Sequence, residues 1–190
     1  MSTSFTPNAT WIIIGIIVFI VILVITLYNR LVKLKNNREN AFADIDVQLK
    51  LRFDLVENLV NTVKGYATHE QETFQKVIEA RNSFAHAGSV DSKIAADNQL
   101  TGALKSIFAL AESYPELKAN ENFLELQTEL SDIENKLAAA RRFFNSATRE
   151  YNNAIQTFPS NFIAGMFGFK TEKSFELDDV SERKAPKVKF

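Results

Sequence analysis

Residues 11–28 read WIIIGIIVFIVILVITLY, and 11–27 contain no charged side chain. Adding Ala9, Thr10 and Tyr28 brings the uncharged run to about twenty residues, roughly 25–30 Å of helix at ~1.5 Å per residue, which matches the hydrocarbon core of a bilayer. Ile, Val, Leu and Phe fill fourteen of these seventeen positions, Ile14, Phe19, Leu23 and Leu27 among them. At about −0.3 to −0.6 kcal/mol each, they favour insertion by roughly 4 to 8 kcal/mol. β-Branched residues would favour a strand in water, but an isolated strand in lipid leaves its backbone groups unpaired, whereas a helix satisfies them internally. Trp11 and Tyr28 bracket the run as interfacial aromatics. The reading is a transmembrane helix at 11–28.

A cleaved signal peptide calls for a basic start, an apolar run of about 7–15 residues and a small-residue cleavage site, a pattern these residues do not follow. The ten residues before the run carry no charge, while Arg30, Lys33, Lys35 and Arg38 follow it before the first acid, Glu39. The positive-inside bias therefore predicts residues 1–10 as a short extracytoplasmic N-terminus and the remainder in the cytoplasm. The four basic residues also suit anionic headgroups.

Beyond the span, apolar residues recur at helical spacing, and only six Gly and four Pro occur in 190 residues, which argues against a β-sandwich or barrel. Net charge is −1, so no global field attracts nucleic acid, and there are no Cys for disulfides or thiolate ligands. The first seam runs Phe42, Ile45, Leu49, Val56, Leu59, Val63 and Tyr66. Thr68 with Gln71 reads as a capping box opening a second helix with Phe74, Val77, Ile78, Arg81 and Phe84 on one face. Asp91 reads as the cap of a third helix, striped by Leu100, Leu104, Ile107 and Phe108, and Pro115 as its break. Asn120 should cap a fourth helix with the most regular seam, Phe123, Leu126, Leu130, Ile133, Leu137, Phe144, Ala147, Tyr151 and Phe158. The expected fold is all-α: an N-terminal transmembrane helix continuous with a long antiparallel, coiled-coil-like four-helix bundle over 29–158. Residues 159–190 form a short amphipathic segment and a polar tail. Phe162, Ile163, Met166 and Phe167 of that segment either fold back on the bundle end or meet lipid or a neighbouring subunit.

No catalytic constellation is legible. A Gly-rich phosphate loop, a GxSxG turn and a Cys nucleophile are all absent from the sequence. His69 and His86 stand apart without a metal-binding frame. Glu125, Glu129 and Asp132 stack on the fourth helix, but without the Glu-x-x-His pairs of a di-metal bundle they read as a solvated face. No catalytic, cofactor or metal residues are therefore assigned. Arg52 is more informative, because it fills a seam position that should be apolar, and a buried guanidinium needs carboxylates. Glu129 or Glu134 is the predicted partner, with Asp54 on another face. Arg141, Asn145 and Asn152 flank the fourth seam and predict helix-to-helix hydrogen bonds that fix register.

The blocks YNRLVKLKNNRENAFADIDVQLKLRFDLVENLV and AESYPELKANENFLELQTELSDIENKLAAARRFFNSATREYNNAIQTFPSNFIAGMFGF, with the ending APKVKF, resemble the LemA family across residues 28–190. The resemblance implies one transmembrane helix, a short outer N-terminus and a cytoplasmic antiparallel bundle, and no reaction; relatives include magnetosome-membrane proteins. It places family motif residues, as a structural or partner surface, at Arg52, Asp54, Asn58, Glu129, Glu134, Arg141, Arg142, Asn145, Tyr151, Asn152 and Pro159. Leu51 and Glu57 stand where relatives often carry Arg and Pro, so a proline bend is not expected here. The functional expectation is a non-enzymatic scaffold whose partners are the bilayer, further copies of itself and other membrane proteins, with no nucleic acid. An adaptor or signalling partner of another membrane protein is the alternative, and an enzyme ranks below both.

Overall fold

A computed structural model describes residues 7–175, with side chains from residue 10; the expected outer N-terminus and most of the polar tail lie outside this range. Six helices and no strand occur among the described residues: α1 (Pro7–Lys64), α2 (Gln71–Ala85), α3 (Val90–Ala111), α4 (Pro115–Lys118), α5 (Glu121–Gln156) and α6 (Ser160–Phe167). The chain is all-α, as its periodicity predicts. Between positions 16 and 64 there is no Gly or Pro, so nothing interrupts α1 from the apolar run into the seam. It stops at Gly65, where the amides of Tyr66 and Ala67 both return to the Val63 carbonyl.

The helices divide into two compact units, with α1 and α5 contributing to both. The first contains residues 7–41 and 144–174. Its core joins Leu31 and Leu34 of α1 to Tyr151 and Ala154 of α5 and to Ile163 and Ala164 of α6. The apolar run lies in this unit, and as far as Leu23 its side chains are exposed, Trp11 to 73% and Phe19 to 67%, while Val24 and Leu27 pack on the core. A helical stretch apolar all round and open among the described residues is suited to lipid.

The second unit contains residues 42–143 and Phe175. Its core is built from Val56, Leu59 and Val63 of α1, Phe74 and Val77 of α2, Leu104 and Ile107 of α3, Leu117 of α4, and Phe123 and Leu130 of α5. Within it α1 and α5 run antiparallel, since Arg52 meets Glu134 while Tyr66, later on α1, accepts a hydrogen bond from Asn120, earlier on α5.

Helix boundaries correct several expectations. Thr68 caps nothing: α2 begins at Gln71 after Glu70, which makes no side-chain cap bond. Ala67, buried to 1%, is drawn into the core, and Thr68 and His69 are left outside in the turn. α3 is capped by Ser89, in a reciprocal capping box with Ser92, so Asp91 sits in the first turn instead. Pro115 opens the short α4 as well as ending α3, because a proline at the first helical position loses no hydrogen bond. Asn120 Oδ1 does accept from the Phe123 amide, 3.0 Å away, at the start of α5. Tyr66 and Phe158, placed in the seams by spacing, are exposed instead.

Candidate functional site

Three helices of the second unit converge on four charged side chains. Arg52 of α1 has only 5% of its surface exposed, as its break in the seam requires. Its Nη1 donates to Asp97 Oδ1 of α3 at 2.9 Å and to Thr101 Oγ1 at 3.1 Å. It also lies 3.0 Å from Glu134 Oε2 of α5. Arg141 of α5 reaches the other oxygen of Asp97 through Nη2, and its Nη1 is 3.4 Å from Glu134 Oε1. Each carboxylate thus bridges both guanidiniums, and the four formal charges sum to zero. Thr101 is free to accept from Arg52 because its own hydroxyl proton goes to the Asp97 carbonyl at 2.9 Å. The Arg141 guanidinium also stacks 4.9 Å from the centre of the Phe175 ring.

The Asp97 side chain is fully buried. Burial pushes its carboxyl above the ordinary carboxylate range, while Arg141 and then Arg52 pull it back. Beside this cluster a cavity of about 830 Å³ opens between α3 and α5, with Arg52, Glu134 and Arg141 in its lining and Asn98, Lys105, Gln127 and Ser131 adding polar groups. Both carboxylates are engaged by guanidinium groups, so the arrangement ties α1, α3 and α5 together.

Asp97 is the residue missed from sequence. It stands three residues before Leu100 and seven before Leu104, on the same α3 stripe, so a carboxylate breaking that seam could have been matched to the arginine breaking the first. Of the two predicted partners, Glu134 makes the contact, while Glu129 is exposed along with Asp54, Asn58 and Arg142. Glu125 and Asp132 are exposed too, and the described residues contain no grouping of His, Asp and Glu suited to a metal. Glu57 pairs with Arg81 at 2.7 Å, and α1 continues unbroken through Leu51 and Glu57.

The remaining motif residues belong to the first unit. The Asn152 amide clamps the backbone of Glu172, with Nδ2 donating to its carbonyl at 2.8 Å and Oδ1 accepting from its amide at 2.9 Å. Arg38 departs from the other juxtamembrane cations. It is 9% exposed, 3.3 Å from the Glu172 carboxylate and 4.8 Å from the centre of the Phe144 ring, whereas Arg30, Lys33 and Lys35 remain exposed. The Glu172 carboxylate thus gives this cation a charged partner within its own chain. Tyr151 is buried beneath this clamp, Asn145 is half-buried, and Pro159 immediately precedes α6.

An exposed apolar helix joined to helical units whose buried arginines are paired with carboxylates defines a class, the membrane protein with one candidate spanning helix and an all-α body. The chain belongs to the LemA family, whose model matches residues 41–190. It is similar to protein LemA of Metamycoplasma hominis, with 27% identity over 157 residues covering 80% of this chain and 70% of the relative. Magnetosome protein MamQ of Magnetospirillum gryphiswaldense is 24% identical over 189 residues, covering 86% of this chain and 69% of the relative. Magnetosome protein MamQ 2 of Paramagnetospirillum magneticum is 23% identical, covering 86% and 70%.

Proposed function

We propose that this protein is a non-enzymatic scaffold of the bacterial inner membrane, with its N-terminus outside and its helical body in the cytoplasm, that self-associates to organise or reshape the bilayer. One observation carries the self-association. On α1, Val47, Leu51, Asp54 and Asn58 follow one another at spacings of four, three and four, all exposed, with Val47 55% and Leu51 47% open to solvent. Val47 and Leu51 make an exposed apolar step, continued by polar Asp54 and Asn58, on a helix face that is open among the described residues. The basic residues that follow the span support the orientation. Family membership and the similarity to magnetosome proteins support the membrane setting.

The full chain extracted in detergent should run as a particle of more than one copy. Val47→Glu combined with Leu51→Glu should shift its mass, measured by light scattering with detergent subtracted, towards one copy. A particle that is strictly monomeric before substitution and carries no co-purifying protein overturns the reading. Crosslinks from the exposed face of α5 to another membrane protein, without self-contacts, would favour an adaptor instead.

A further inference from the structure

We propose that α6 is a second membrane element, lying in the interfacial layer of the leaflet on the body's side with its outward face among the acyl chains. This rests on the reading of α1 as spanning the bilayer and is independent of self-association. α6 has two apolar faces, and the described residues cover only one. Ile163 and Ala164 are buried against the Leu31, Leu34, Tyr151 and Ala154 cluster. Phe162, 66% exposed, and Met166, 74% exposed and one turn later, point away from that face, and Phe158, just before the helix, is 79% exposed; Phe167, on the docked side at the end of the helix, is still 51% exposed. Phe158 and Phe162 pack edge to face at 6.0 Å, extending this surface past the helix start.

Three observations select a bilayer as its occupant. The patch adjoins the span directly: the Phe167 ring centre lies 4.7 Å from that of Tyr28, the aromatic that closes the uncharged run, and Phe169 lies 5.8 Å from the same ring. Residues 151–169 contain no charged side chain, and the first charge afterwards is Lys170. Lys170 is exposed in the same unit as the exposed Arg30, Lys33 and Lys35, which gives an apolar face cations to meet anionic phospholipid headgroups. Gly168, at φ 73°, ends α6 in the left-handed conformation and turns the chain to Phe169 and so to Lys170. A helix of this kind sinks about 5–10 Å into the headgroup and acyl boundary of one leaflet only. Beside a spanning helix, that adds area to one side of the bilayer and gives the membrane-shaping reading a physical means.

The chain contains no Cys, so single cysteines can be introduced one at a time into the full protein and labelled with an environment-sensitive fluorophore. In phosphatidylcholine–phosphatidylglycerol vesicles with bromine on the acyl chains, labels after Met166→Cys and Phe158→Cys should be quenched at least about threefold more than one after Glu125→Cys, as an interfacial helix requires. A label after Ile17→Cys reports the span separately. Labels at 158 and 166 that stay as wet as the one at 125 overturn the proposal. So do labels shielded from water yet untouched by bromine, which would place a second copy or another protein on this face. If the label at 17 also escapes quenching, it is the spanning reading that has failed, and α6 falls with it.

Discussion

Arg52 and Asp97 close a buried ion pair from opposite sides of a helix interface, Nη1 to Oδ1 at 2.9 Å, with side chains 6% and 0% exposed. A buried pair of this kind contributes little net stability, because desolvation offsets the attraction, but losing one partner strands the other. Asp97→Ala should therefore destabilise the protein by about 3–5 kcal/mol. The combination Arg52→Met, Asp97→Leu, Glu134→Gln and Arg141→Met should cost less than that single change, since no charge is left stranded. Denaturant unfolding in detergent checks the order, and a single variant that is the milder of the two would refute the lock.

How much of this was legible follows from range. The span, the seams and the oddity of Arg52 are local patterns, and running α5 back along α1 offered Glu129 or Glu134 as the partner, of which Glu134 makes the contact. Asp97 was not found because its stripe was read only from Leu100 onwards. The caps failed for another reason. Thr68 and Gln71 satisfy a local rule, but burying Ala67 and Phe74 decides where the chain turns, and that depends on residues far away in sequence. Which face of α6 turns inward is likewise set by Leu31 and Leu34, more than a hundred positions earlier, so the sequence left open whether the segment folds back, and the structure docks Ile163 and Ala164.

Asn152 holds Glu172 by two hydrogen bonds, and Asp cannot reproduce the one that its amide nitrogen donates. Asn152→Asp should speed hydrogen exchange at the Glu172 amide by about three- to tenfold, the equivalent of a net hydrogen bond of roughly 0.5–1.5 kcal/mol. Exchange there that is unchanged would mean the clamp does not hold this segment in solution.

Tyr151 is 1% exposed, and burial raises its pKa, reinforced by Glu172 and opposed by Arg38. The folded phenol therefore keeps its proton when the unfolded one, ionising near about 10, has lost it. Its contribution to stability is fully present below that pH and declines as pH rises from there through the folded value. The tyrosinate absorbance of the native chain minus that of Tyr151→Phe should show a transition above the ordinary tyrosine range. A difference spectrum that titrates at the ordinary value would place this hydroxyl in water.

Ile163 and Phe162 are neighbours on α6 with opposite surroundings, 6% and 66% exposed. Ile163→Ala removes buried methyl groups from the Leu31 and Tyr151 cluster and should cost about 2–5 kcal/mol in thermal or denaturant unfolding. Phe162→Ala removes a larger side chain, yet the described residues leave 66% of it exposed, so in detergent the change should stay within about 0.5 kcal/mol. The contrast matters because size alone predicts the reverse order. If Phe162→Ala proves the more damaging of the two, the outward ring is part of the protein's own core, and the division of α6 into a docked face and a free face is wrong.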